Sequence, residues 1–95
     1  MKLKQLPIII KAIANPITAR CNRPVCDVFL GKRKMARIYR SWDLGEKSFW
    51  ISFATFYEDG RFHWYDCDHQ RKYNAALRAA IKFVTKLKTE LIGSK

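Results

Sequence analysis

The run SFWISFATFY at residues 48–57, the pair Asp59-Gly60 and the run RFHWYDC at residues 61–67 decide the fold. Both runs are rich in aromatic and β-branched residues, which favour the extended backbone of a sheet. An Asp-Gly pair between two such runs is typical of the tight turn of a β-hairpin. The stretch therefore predicts two adjacent antiparallel strands.

A two-residue turn at Asp59-Gly60 would fix the register of this hairpin, and a three-residue loop would shift it by one position. With the shorter turn, one face is expected to enter the core and carries Phe49, Ile51, Phe53, Phe62 and Trp64. The opposite face carries further aromatic residues, namely Trp50, Phe56, His63 and Tyr65. These four form a possible contact face, on which bases could stack or a protein could dock. The alternative, which we favour, is that apolar residues of the N-terminal segment cover it.

Two shorter strands are expected upstream of the hairpin. The segments Val25 to Leu30 and Met35 to Arg40 flank Gly31-Lys32 and show the alternation of strands. Near the N-terminus, Leu3, Leu6, Ile9, Ile10 and Ile13 recur at helical spacing and predict a short helix that ends before Pro16. The run Ile8-Ile9-Ile10 would also fit a short strand.

A long amphipathic helix closes the chain. Its apolar residues recur at steps of three and four positions, at Tyr73, Ala76, Leu77, Ala80, Ile81, Val84, Leu87 and Leu91. Asp68 is expected to cap its start and Gly93 to end it. We therefore predict that residues 1–95 form a single small α+β domain in two layers. An antiparallel sheet of three to four strands packs on the long C-terminal helix, with a short N-terminal helix before it.

The charge of the chain is sorted into blocks. Residues 1–40 carry ten Lys or Arg against the one acid Asp27, and residues 71–95 carry seven against Glu90. Residues 41–70 carry six acids against two bases, and the formal net charge of the whole chain is +11. Folding brings the two basic blocks close together in so small a protein, so we expect a positive surface that attracts polyanions.

Two clusters of bases are candidate nucleic-acid contacts. Arg71, Arg78, Lys82 and Lys86 share one face of the last helix, where like charges four residues apart repel each other. Solvated helix faces usually mix the two signs of charge, so this pattern favours a phosphate-facing role. The second cluster is Lys32, Arg33, Lys34 and Arg37, with Arg40 beyond it. It would suit phosphate contacts or, equally, an edge strand that charge protects from pairing with another chain.

The sequence carries no strong signature of a catalytic site or a metal site. Cys21, Cys26, Cys67 and His69 have the chemistry of zinc ligands, but their spacing is irregular, and we predict neither a metal nor another cofactor. The odd number of cysteines indicates reduced thiols and a cytoplasmic location. No apolar run approaches the roughly 20 residues of a membrane span. Lys2 and Lys4 before an apolar stretch imitate a signal peptide only faintly.

The order of predicted elements loosely resembles two groups of nucleic-acid modules. Arg71-Lys72 and the pairs Ala75-Ala76 and Ala79-Ala80 are similar to the start of the last helix in double-stranded-RNA-binding domains, without their lysine-rich signature. Three strands followed by a helix also resemble the DNA-binding domains of phage integrases and of the plant AP2 type. No residue role follows from either likeness.

From charge and elements together we expect a non-enzymatic accessory protein, of phage or plasmid type, that binds nucleic acid, with duplex preferred. The alternative is an adaptor or inhibitor that docks an acidic protein partner. The sequence leaves open the choice of DNA or RNA and the oligomeric state.

Overall fold

In the computed structural model, consecutive strands between residues 8 and 70 are followed by a helix. The structure describes residues 7–43, 46–56 and 62–93, of which 43, 46, 55–56, 62–67 and 89–93 are described by their backbone alone. Within these ranges the elements are β1 (Ile8–Ala12), β2 (Pro24–Leu30), β3 (Arg33–Asp43), β4 (Glu46–Phe56), β5 (Phe62–Gln70) and α1 (Tyr73–Gly93).

The strands form one antiparallel sheet in the order β1-β2-β3-β4-β5, so each strand pairs with its neighbour in sequence. The helix α1 packs across one face of this sheet and contacts every strand of it. The predicted α+β class, with an antiparallel sheet on a long C-terminal helix, is confirmed. The sheet has five strands rather than three or four.

The predicted N-terminal helix is wrong. Residues Ile8–Ala12 form the edge strand β1, which pairs with β2 so that Ile8 lies opposite Leu30 and Ala12 opposite Cys26. Three consecutive β-branched isoleucines favour extended backbone, and β1 satisfies the hydrogen bonds along one edge of β2. Because β1 lies in the plane of the sheet, Ile9 and Ile10 do not form a layer over the second aromatic face as expected. Leu3 and Leu6, which were expected to take part, lie outside the described residues.

The predicted hairpin of β4 and β5 is confirmed as a strand pair. The register that a two-residue turn implies, with Thr55 opposite Trp64 and Phe53 opposite Asp66, is wrong by one residue from Ser52 to Phe56. Beyond the bulge between Ile51 and Ser52 the pairs return to it, with Ile51 opposite Asp68. Phe56 pairs with Phe62, Ala54 with Trp64 and Phe53 with Tyr65. A two-residue turn leaves an even number of residues between paired positions, but five lie between the partners Phe56 and Phe62. The Asp59-Gly60 pair itself lies outside the described residues.

The core lies between α1 and the sheet face that α1 covers. Phe53 of β4 stacks on Phe83 of α1 with ring centroids 4.1 Å apart. The helix buries the small and branched side chains Ala76, Ala80, Val84 and Leu87. The fully buried side chains of the strands include Val28, Ile38 and Ile51. The predicted apolar stripe is therefore confirmed at Ala76, Ala80, Val84 and Leu87. Phe83 also packs on the core, although the spacing did not predict it.

The expected helix cap at Asp68 is wrong, because β5 continues through Gln70 and α1 begins at Tyr73. The Asp68 carboxylate accepts a hydrogen bond from the His69 backbone N–H at 2.7 Å instead. At the true start of the helix, the Ala76 N–H donates to the Lys72 carbonyl at 3.0 Å.

Tyr73 joins the first turn of α1 to the sheet. Its ring meets the edge of Phe49 with centroids 5.5 Å apart. Burial, assisted by the interaction of its hydroxyl with the Cys26 side chain, raises the pKa of Tyr73 to about 12. Burial also raises the pKa of the Cys26 thiol, so both groups favour their neutral forms in the folded protein.

Stability should therefore fall as the pH rises above the ordinary tyrosine pKa of 10.0 toward about 12. In that window the unfolded chain has lost the Tyr73 proton while the folded chain still holds it, so alkali favours unfolding. Urea unfolding of the parent and of Tyr73→Phe should be compared at neutral pH and near pH 11 (roughly midway in this window). The parent should lose more free energy of unfolding on this shift. An equal loss in both proteins would contradict the assignment, since lysine titration affects both alike.

Candidate nucleic-acid interface

The basic ladder of α1, defined as Arg78, Lys82 and Lys86, lies on the outer face of the helix. All three residues are exposed, and they repeat every four positions opposite the buried stripe of Ala76, Ala80 and Val84. Arg71 and Lys72, immediately before the helix, are also exposed. The structure thus presents several bases on one side of the two-layer fold.

The helix points toward the turn between β2 and β3. Tyr73 contacts Phe49 and Phe83 contacts Phe53, so α1 advances in the same direction as β4. The Gly31-Lys32 turn lies at the end of the sheet that this direction approaches, and Gly31 adopts a φ of 63° that suits glycine. Lys32 and Arg33 are exposed there. The structure therefore brings these two bases to the same end of the molecule as the last turns of α1.

Lys34 and Arg37 do not join the basic ladder. They lie on the sheet face opposite α1, which we call the open face, and they surround the buried carboxylate of Asp27. Arg37 donates from Nε to Asp27 Oδ1 at 2.7 Å and from Nη2 to Oδ2 at 3.0 Å. The Lys34 Nζ lies 3.7 Å from Asp27 Oδ2. The hydrogen bonds to Asp27 raise the pKa of Arg37 further above its usual range.

Arg40 is also withdrawn from any basic surface. It is only 6% exposed, and its guanidinium lies 4.7 Å from the centroid of the Phe49 ring on the helix-covered side. This is a cation–π contact, in which the aromatic face stabilises the positive charge. The second basic cluster expected from the sequence is consequently divided between a turn, the open face and the core.

The open face carries a polar row beside an aromatic row. The register places Lys11, Asp27, Arg37 and Ser52 opposite one another on β1 to β4. In the adjacent row Tyr39, Trp50 and His69 are neighbours on β3, β4 and β5.

Trp50 and His69 pack against each other in the aromatic row. Their ring centroids lie 5.3 Å apart. The His69 Nε2 atom is 2.7 Å from the Ser48 hydroxyl, and this hydrogen bond fixes the orientation of the imidazole. The buried hydroxyl therefore holds the histidine ring against one side of Trp50.

A depression of about 410 Å³ opens beside the aromatic row. It is lined by Asn22, Tyr39, Arg40, Ser41, Trp50 and Ser52. Asn22 has a left-handed φ of 66°, which few residues other than glycine and asparagine adopt readily. Its N–H donates to the Arg40 carbonyl at 2.7 Å, and the Arg40 N–H donates to the Arg23 carbonyl at 2.8 Å. The turn at residues 20–23 is thereby fixed against β3.

Sequence reasoning named Trp50 and missed Asn22 and Tyr39. Of the aromatic contact residues expected from the sequence, Trp50 lies half-buried on the open face. The side chains of Phe56, His63 and Tyr65 lie outside the described residues. An asparagine between β1 and β2 was the available signal for a left-handed turn, but nothing in the sequence tied that turn to β3.

The weighed zinc ligands are not brought together in the described residues. Cys21 is exposed in the turn before β2, and Cys26 is buried under α1. His69 lies on the open face against Trp50, so Cys26 and His69 cannot bind the same ion. No group of three His, Cys, Asp or Glu in the described part of the chain is arranged to hold a metal. The Cys67 side chain lies outside that part.

The comparisons with known proteins give no relative. No protein family model, no curated protein and no solved structure matches the chain. Among the described helices, none is both long and apolar enough to cross a bilayer.

Removing the buried charge of Asp27 should weaken the fold. Asp27→Asn keeps the shape of the side chain but leaves Arg37 without its carboxylate, which should cost about 1–3 kcal/mol. The melting temperature should then fall by roughly 5–15 °C. The control is a double-mutant cycle with Arg37→Gln, in which the double variant should lose less than the sum of the single losses. Additive losses would show that the pair does not stabilise the sheet.

Proposed function

We propose that this protein binds duplex nucleic acid through phosphate contacts and catalyses no reaction. The basic ladder of α1 and the turn bases Lys32 and Arg33 supply the contacts. The observation that carries the proposal is the exposure of Arg78, Lys82 and Lys86 in a row along a helix that the core holds rigid.

The spacing of the ladder suits a polyanion. Residues four apart on a helix rise about 6 Å and share one face, so the three bases can contact one phosphate backbone together. The like charges repel one another by a few tenths of a kcal/mol per pair in the free protein. Phosphates would relieve that repulsion, so the arrangement favours the bound state.

The electrostatic field supports the same partner. The net charge of +11 is large for 95 residues, and the one acid of residues 1–40 is buried beneath Arg37 and Lys34 rather than displayed. The positive charge of residues 1–40 is therefore hardly offset at the surface. Such a field speeds the approach of polyanions and weakens with added salt.

An acidic protein partner is the second candidate, and the edge strand β1 favours it. Ile9 and Ile10 are each 46% exposed and Ile13 is 43% exposed. An edge strand with apolar side chains can accept a further strand from another protein. Lys11 lies between these isoleucines and would suit an acidic residue on the incoming strand.

Binding to duplex should depend strongly on salt. If about five phosphates are neutralised, a plot of log affinity against log salt should have a slope near −4 to −5. Fluorescence anisotropy with unrelated duplex sequences measures this slope and tests whether it depends on sequence. Absence of binding at low salt, or a flat response, would overturn the proposal.

Removing the ladder should weaken binding without weakening the fold. The triple variant Arg78→Gln, Lys82→Gln and Lys86→Gln keeps good helix formers and removes repulsion, so its melting temperature should hold or rise slightly. Its affinity for duplex should fall roughly ten- to a hundredfold, and the salt slope should shrink by about one unit per lost contact.

A charge-matched variant serves as the control for the ladder. Lys11→Gln, Arg20→Gln and Lys47→Gln remove three exposed bases away from α1. This protein has the same net charge as the ladder variant and should lose much less affinity. Equal losses in both would show that net charge, rather than the helix face, governs binding.

A further inference from the structure

We propose that the depression on the open face binds an unstacked base of single-stranded nucleic acid. This inference shares the nucleic-acid partner of the proposed function but assigns a second surface, on the opposite side of the sheet from the basic ladder. The juxtaposition that carries it is Tyr39 beside Trp50, with Asn22, Ser41 and Ser52 around them.

The aromatic part of the depression suits a flat ring. Tyr39 and Trp50 are directly opposite one another on β3 and β4, a position that brings cross-strand side chains into contact. Both are half-buried, so part of each ring remains accessible. Because His69 packs on Trp50 and is itself hydrogen-bonded to Ser48, the indole is held in place before a ligand arrives. Aromatic side chains held in this way are stacking platforms for bases.

The polar lining suits the edge of a base. The hydroxyl group of Ser41 and the side-chain amide of Asn22 can each donate and accept hydrogen bonds. A volume of about 410 Å³ lies within the range of small-ligand sites. An aromatic wall beside such polar groups matches a nucleobase, which has both a flat face and a polar edge, better than an aliphatic side chain.

Bases on the adjacent turn supply the charge that a phosphate backbone needs. Arg20 and Arg23 are exposed on the turn that carries Asn22. The backbone hydrogen bonds between Asn22, Arg40 and Arg23 fix this turn at the rim. A base in the depression would thus place its phosphates near cations, and this combination favours a nucleic-acid strand over an acidic peptide.

Among the described helices and strands, none packs over the depression. The helix α1 packs on the opposite face, and β1 extends the sheet in its own plane. A duplex would keep its bases stacked and paired, so only a single strand can use this site. Single strands and duplexes should therefore depend on different residues of the same protein.

The test compares binding of a labelled thymidine oligonucleotide of about ten nucleotides with binding of a duplex, by fluorescence anisotropy. Trp50→Leu should weaken single-strand binding at least about tenfold, the loss of one stacked base, and leave duplex binding unchanged. Trp42→Leu is the matched control, because Trp42 is 57% exposed on β3 and does not line the depression. It should change neither affinity.

A second variant tests the same site with a substitution that the fold should tolerate. Asn22→Gly removes the amide, while glycine adopts the φ of 66° without strain, so the fold should persist. Its melting temperature should stay near that of the parent, and its single-strand affinity should fall several-fold. Unchanged single-strand affinity in both Trp50→Leu and Asn22→Gly would overturn the site.

Other outcomes separate the two proposals. The ladder variant should lose duplex binding and keep single-strand binding. If the parent binds single strands through Trp50 but no duplex, the proposed function fails and the depression stands. If Trp50→Leu loses duplex and single-strand binding equally, the separate site is overturned. Thymidine monophosphate or an acidic peptide that binds the depression as tightly as the oligonucleotide would overturn the assignment of its ligand.

Discussion

One helix covers one face of a five-stranded sheet, and the other features of this protein depend on that packing. The alanines at Ala76 and Ala80 allow α1 to approach the strands closely, and Phe83 fills the space above Phe53. Within the described residues no second layer of secondary structure packs on the other face of the sheet, and antiparallel sheets commonly leave one face to solvent or to a partner. The same packing directs the opposite side of α1 outward. Two chemically different surfaces follow, with bases on the helix and aromatic and polar residues on the sheet.

The two surfaces differ in how their basic residues are placed relative to acidic residues. On the open face, the Asp27 carboxylate is nearly inaccessible to solvent and forms ion pairs with Arg37 and Lys34. These two bases therefore contribute to the internal packing of the sheet. On the helix, the bases outnumber the acids, since residues 71–95 carry seven Lys or Arg against the single acid Glu90. Bases that are paired inside a structure are costly to redirect toward a ligand. The ladder is therefore better suited to phosphates than the cluster around Asp27.

The sequence predicted the parts of the fold that arise from strong periodic patterns. The stripe of α1 and the aromatic strand β4 were placed correctly because their patterns extend over ten residues or more. The segment Ile8–Ala12 was misassigned because its isoleucines fit both helical and strand spacing, and only pairing with β2 decides between them. The hairpin register failed between Ser52 and Phe56, where each partner is moved by one position, and a bulge between Ile51 and Ser52 restores it.

The candidate sites were predicted less completely than the fold. Exposure of the ladder follows from helical geometry alone, so the sequence could place it. The depression could not be foreseen, since it requires the turn at Asn22 to meet β3 and Tyr39 to lie beside Trp50, and these contacts link residues distant in sequence. The burial of Arg40 and the ion pair of Arg37 with Asp27 could not be predicted from the sequence for the same reason.

The most direct measurement of the central claim, that two opposite surfaces bind different forms of nucleic acid, is amide chemical-shift mapping by nuclear magnetic resonance. The labelled protein would be titrated with a short duplex and, separately, with a single strand. The account predicts that duplex shifts the amides of α1 around Arg78, Lys82 and Lys86, and that the single strand shifts those around Asn22, Tyr39 and Trp50. Shifts confined to β1, or the same residues responding to both ligands, would contradict it.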